Sequence, residues 1–170
     1  MLTSSPKQAG FSLIELCVGI AVIAILIGFA IPGMRTWLQN SNVRSTTESI
    51  QNGLQLARAE AVRRNVFATY AQSGVGWTVT AAASTVQTGT TETAGTATVT
   101  ASQNTVTFSG IGWVTPVPAS TITFDITNPT GGTCVAASGK IRCLRVTVTA
   151  GGQIRMCDPA ATSGTAAACS

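Results

Sequence analysis

From Phe11 to Ile31 the chain reads FSLIELCVGIAVIAILIGFAI, 21 residues in which Ser12 and Glu15 are the only clearly polar side chains. As a helix rising 1.5 Å per residue this block measures roughly 31 Å, the thickness of a bilayer's hydrocarbon core. It is long enough to cross a membrane. The preceding ten residues, MLTSSPKQAG, carry one charge, Lys7, so the positive-inside rule predicts a cytoplasmic N-terminus and an exported remainder. A secretory signal has an apolar region of about 7 to 15 residues and then a small-residue cleavage site. Here the run is longer and leads into Pro32 and Met34. A lipoprotein signal requires small residues before its cysteine, whereas Glu15 and Leu16 precede Cys17. A plain anchor explains the length but not Glu15, because a carboxylate in hydrocarbon costs about 2.5 to 3.5 kcal/mol on insertion scales. That acid needs a partner.

The string AG-FSLIELCVGIAVIAILIGFAIP, with Gly10, Phe11 and Glu15 at its head, resembles the class III leader of type IV pilins and type II secretion pseudopilins. The resemblance implies cleavage after Gly10 by a prepilin peptidase, N-methylation of the new Phe11 amine, and an inner-membrane helix that later enters a filament core. It also assigns Glu15 to subunit assembly, paired with the terminal amine of a neighbouring subunit. Physically, such a pair recovers much of the burial cost of the acid and fixes the axial register between helices.

Helical signals continue past Pro32 and Gly33, where a kink or melted turn is expected because proline cannot donate to the carbonyl four residues back. Val43, Ile50, Leu54, Ala57 and Ala61 then form one apolar stripe, which predicts an amphipathic helix lying on a globular domain. Arg44, Glu48, Arg58 and Arg63 mostly fall off the stripe, and Glu60 with Arg64 makes an acid-first pair four residues apart.

After Asn65 the pattern changes to period two with abundant threonine. It predicts strands at Val66–Ala71, Trp77–Thr80, Thr96–Thr100, Thr105–Phe108, Thr121–Thr127, Ile141–Thr149 and Gln153–Cys157. Glycine pairs and Asn128-Pro129 break them apart. The stretch Ala81–Gly95 reads as a loop or a weak edge strand. In the last hairpin a three-residue turn, Ala150 to Gly152, sets Val148 against Ile154 and Thr147 against Arg155, keeping both faces consistent. Arg145 and Arg155 then lie diagonally on one solvent face, with Lys140 and Arg142 nearby in sequence.

Composition narrows the chemistry. Only 9% of the 170 residues are charged and there is no histidine, which removes the commonest general base and metal ligand. Asp125 and Asp158 are the only acids after Glu92, and no nucleophile elbow or phosphate loop is present. An enzyme is not expected, nor a cofactor. Cys17 reads as an apolar packing residue of the membrane helix. Cys134, Cys143, Cys157 and Cys169 form an even set in the exported part, which argues for two disulfides. Of three connectivities the short loops favour Cys134 with Cys143 and Cys157 with Cys169. Spacings of 9, 14 and 12 lack a close cysteine pair, so zinc is disfavoured.

With GWTVT, VTFSGIG, ITFDI and KIRCLRVTVTAGGQIRMC after the helix, the chain resembles the GspH/FimT/FimU family of minor pilins and pseudopilins. The resemblance implies an α+β pilin fold, a long N-terminal membrane-spanning helix packed on a C-terminal antiparallel β-sheet domain. Its parts are a leader at 1–10, a transmembrane helix at 11–31, an amphipathic helix at 32–65 and a periplasmic β-rich domain at 66–170. It further implies a low-abundance subunit that joins other minor and major pilins or pseudopilins in a tip or initiation complex. Some FimT proteins bind DNA through a G-R-x-R motif in the last hairpin. The corresponding residues here are Gly152, Gln153, Ile154 and Arg155, with glutamine in place of the first arginine. A second reading is therefore weak, sequence-nonspecific DNA binding by Lys140, Arg142, Arg145, Gln153 and Arg155.

Overall fold

A computed structural model describes residues 12–89 and 96–169. Residues 1–35 and 36–170 form two separate units. Helix α1 spans Leu13–Arg64. The helical assignment continues through Pro32 rather than melting there, yet as a candidate membrane span it divides into Leu13–Gly28 and Gly33–Arg64. No single helix among the described residues meets the length and hydropathy of a span by itself; the two parts meet them together.

The helix ends where its chemistry changes. Asn65 adopts a left-handed φ of 51°, and its N–H bonds the carbonyl of Val62 while that of Val66 reaches back to Ala61. This is a Schellman cap with asparagine in the usual glycine position. Forming the cap uses Val66, so β1 begins at Ala68 rather than at the predicted Val66. In the last turn, the hydrogen bond from Arg63 holds the Glu60 carboxyl below the usual range, with Arg64 adding to the effect.

The strands are β1 (Ala68–Ser73), β2 (Gly76–Ala81), β3 (Ser84–Gly89), β4 (Thr98–Ala101), β5 (Thr105–Phe108), β6 (Ile122–Thr127), β7 (Leu144–Val148) and β8 (Ile154–Cys157). They form two antiparallel four-stranded sheets, ordered β3-β2-β1-β5 and β4-β6-β7-β8. The weak stretch after Ala81 supplies β3, an edge strand on which no residue is buried. The predicted start of β7 at Ile141 is corrected to Leu144. Ile141 instead makes an isolated bridge with Cys134, the Arg142 N–H is taken by Asn40 Oδ1 at 2.8 Å, and the Cys143 N–H by the Ile141 carbonyl at 3.1 Å. Those backbone groups are engaged elsewhere and cannot extend the ladder.

One core joins the second half of the helix to both sheets. Val43, Ile50, Leu54, Ala57 and Ala61 are each 0% exposed. They pack in one cluster with Tyr70, Trp77 and Phe108 of the first sheet and Phe124, Ile126 and Val146 of the second. Tyr70 stacks on Trp77 at 6.0 Å and meets Phe124 edge-on at 5.8 Å, linking the sheets through aromatic contact. Its hydroxyl donates to Gln72 Oε1, and burial pushes the phenol up from its ordinary range.

Trp77 explains two glycines. Its indole N–H donates to Ser49 Oγ at 3.0 Å, laying the ring across the helix. A Cβ at Gly53 would come within 2.8 Å of that ring, and one at Gly89 within 2.2 Å. Alanine in place of a helical glycine usually gains about 1 kcal/mol. At Gly53 the clash reverses the sign, and Gly53→Ala is expected to lower the free energy of unfolding by about 1 to 2 kcal/mol, read from the denaturant midpoint.

Candidate functional site

Two regions carry the chemistry singled out by the sequence. The first is the start of α1. Gly10 and Phe11, the proposed cleavage and methylation positions, lie outside the described residues, which begin at Ser12. The Ser12 carbonyl accepts from the N–H groups of Glu15 and Leu16 and so opens the helix. Glu15 occupies the first turn. From Ser12 to Gly28 every residue is exposed, including Leu13 at 81%, Leu26 at 63% and the free thiol Cys17. Glu15 makes no ion pair among the described residues. Pro32 lies within α1, and no more is described of its side chain.

The second region is the last hairpin with its two bridges. Sulfur–sulfur bonds join Cys134 to Cys143 and Cys157 to Cys169, with Cα atoms 5.4 and 5.1 Å apart, the short-loop connectivity. The register sets Val148 against Ile154 and Thr147 against Arg155. The Gly152 N–H bonds the Thr149 carbonyl at 2.9 Å and the Thr149 N–H bonds the Gln153 carbonyl at 3.0 Å, closing a three-residue turn. Gly152 has φ +75°, and a Cβ there would fall 1.9 Å from the Gly112 carbonyl oxygen. That carbonyl also accepts from Arg58 Nε. Gly152 thus seats the loop after β5 between helix and hairpin, and Gly152→Ala is expected to shift the unfolding midpoint downward through both clash and strained φ.

The basic residues do not form an open cationic face. Arg145 is diagonal to Arg155, as the register requires, but it lies directly across from Asp125 on β6 and bonds its carboxylate at 2.6 Å. Arg142 pairs with Asp158 at 3.1 Å. Arg155 donates to the Ala166 carbonyl of the tail at 2.6 Å. Gln153 and Lys140 are exposed. Sequence reasoning weighed Asp125 and Asp158 only as unsupported catalytic acids and missed their role as partners. Alternation along β6 and β7 carried the signal for the first pair, because both residues occupy outward positions.

The family described as "Type II transport protein GspH" matches residues 46–152, more than half of the chain and most of its β-rich part. The chain belongs to the GspH family. The "Prokaryotic N-terminal methylation motif" matches residues 5–31, covering Gly10, Phe11 and Glu15. Two crystal structures of the type IV minor pilin FimU from Pseudomonas aeruginosa (strain PAO1) share the fold. One matches with TM-score 0.55 and 20% identity over 71% of this chain and 91% of that one. The other matches with TM-score 0.52 and 21% identity over 66% and 90%. No curated protein matches. This GspH-family chain therefore carries an N-terminal methylation motif and shares the fold of FimU.

With Arg142 and Arg145 neutralised in place, only Lys140 and Arg155 of the hairpin cations lack an acidic partner among the described residues. Two free cations predict a slope of only about −2 in log K against log salt for duplex DNA. Retardation of DNA by the detergent-solubilised protein is accordingly expected to be lost by physiological salt.

Proposed function

We propose that the chain is inserted in the inner membrane with its domain in the periplasm. Prepilin peptidase cleaves it after Gly10, and it then enters a tip or initiation complex of other pilins or pseudopilins for a type IV pilus or a type II secretion pseudopilus. The observation that carries this reading is the state of Leu13–Gly28: an apolar helix exposed on every described side, with Glu15 as its sole charge. Such a surface requires lipid or other apolar helices around it. A carboxylate there requires a cation in reach, and a free Phe11 amine on a neighbouring subunit supplies one.

We assign the protein no catalytic activity. Asp158 lines an open groove of about 660 Å³, but its carboxylate is bonded to Arg142 and to the Ala160 N–H and is not presented to a ligand. Nonspecific DNA binding has less support than assembly, because Arg142 and Arg145 are each held by an acid and Gln153 adds no charge.

The test is to follow processing and incorporation separately. Mature protein is expected to begin at Phe11 by N-terminal sequencing. Glu15→Ala is expected to be cleaved normally yet to drop at least about tenfold in recovery with its partner pilins, as losing one buried charge pair of more than about 1.4 kcal/mol implies. Glu15→Asp retains the charge and is expected to recover part of the loss. A mature chain that still begins at Met1, or full incorporation of Glu15→Ala, overturns the proposal.

A further inference from the structure

We propose that the end of the domain at which α1 enters it is a docking surface for the anionic lipid headgroups of the bilayer, used before the subunit joins an assembly. The inference rests on the inner-membrane anchoring proposed above. Three observations within residues 36–170 carry it. Trp37 and Leu38 are 68% and 53% exposed on α1, although each could have been polar at no cost to the core. Trp37 follows Ile31, the last residue of the apolar run, by six positions in sequence, and tryptophan is enriched where the hydrocarbon gives way to headgroups.

The loop closed by the Cys134–Cys143 bridge is fastened at this same end. The Arg142 N–H bonds Asn40 Oδ1 at 2.8 Å, and Gly131 lies so close to Gln39 that a Cβ would meet its Oε1 at 2.7 Å. The short 3₁₀ turn of this loop, Val135–Ala137, turns three apolar residues outward, with Val135 at 45% exposure and Lys140 exposed beside them in sequence. A bridged loop with apolar residues outward and a lysine next to them suits a headgroup layer, in which the apolar tip sinks and the cation stays in the phosphate plane.

Charge is complementary to such a layer. Among the described residues, the acids beside Arg44 and Arg142 are Glu48 and Asp158, each already bonded to one of them. Lys140 has no acidic partner among the described residues and leaves the face positive. One such cation near an anionic bilayer is worth about a fivefold shift in the docked population.

The experiment uses the full chain reconstituted in vesicles with bromine-labelled lipid. Trp113→Phe removes the exposed indole nearest position 111, leaving Trp37 and buried Trp77 as the background common to both variants. Into this protein Val135→Trp or, at the other end of the domain, Ile111→Trp is introduced. In vesicles containing phosphatidylglycerol, the indole at position 135 is expected to be quenched and that at 111 not. Lys140→Ala is expected to lower the docked-to-undocked ratio about fivefold, and phosphatidylcholine alone or high salt to abolish the difference. A chain that floats with the vesicles but is quenched no more at 135 than at 111 overturns the proposal and leaves this face to a neighbouring subunit. Equal quenching at 135 with neutral lipid overturns it as well. Failure to float at all refutes the anchoring reading itself.

Discussion

The physical constraint behind this chain is an apolar helix that its own domain does not cover. Between Leu13 and Ile27 ten large aliphatic side chains stand at least half exposed. At roughly 25 cal/mol per Å² of apolar surface, leaving them in water costs more than a domain of this size has in net stability. The folded monomer is therefore an incomplete object. Lipid or other apolar helices must complete it. The exposed apolar helix gives the physical reason that the neighbours proposed above are required.

The rest of the molecule is built so that this requirement stays local. The second half of the same helix buries its stripe against two sheets in one continuous cluster, and the two bridges fasten the loop before β7 and the tail after β8. Trp77 holds the helix at close range by packing over Gly53 and Gly89.

Much of this was legible in sequence, for identifiable reasons. The helix stripe was readable because five small or aliphatic residues keep one spacing and all five prove fully buried. The final hairpin was readable because a one-residue slip would have placed Val148 opposite Arg155, mixing faces, so only the three-residue turn satisfied both strands. What failed depended on partners far away in the chain. Ile141 has strand chemistry, but the N–H of Arg142 is claimed by Asn40, 102 residues away. The cationic face looked open because Asp125 lies 20 residues from Arg145, and nothing within the hairpin reveals which strand will flank it. Glu15 stood out in the sequence as an acid within an apolar run, whereas Trp37 and the Val135 turn stood out only once their exposure and shared end of the domain were visible.

The low charge of the domain fits the assembly proposed above. A subunit surrounded by others must bury outward-facing surface, and burying an unpaired ion costs far more than burying a hydroxyl that keeps one hydrogen bond. On the outer face of the second sheet, Thr123, Thr127 and Thr147 occupy positions where soluble proteins commonly place lysine or glutamate. The charged residues on that face are arranged accordingly, Arg145 against Asp125 across neighbouring strands and Arg155 against the tail carbonyl. Each arrives at any contact already neutralised or hydrogen-bonded, so a partner need not supply a counter-charge there. Among the described residues Glu15 is the acid left without an ion pair, and under the proposed assembly a neighbouring subunit's amine supplies its counter-charge.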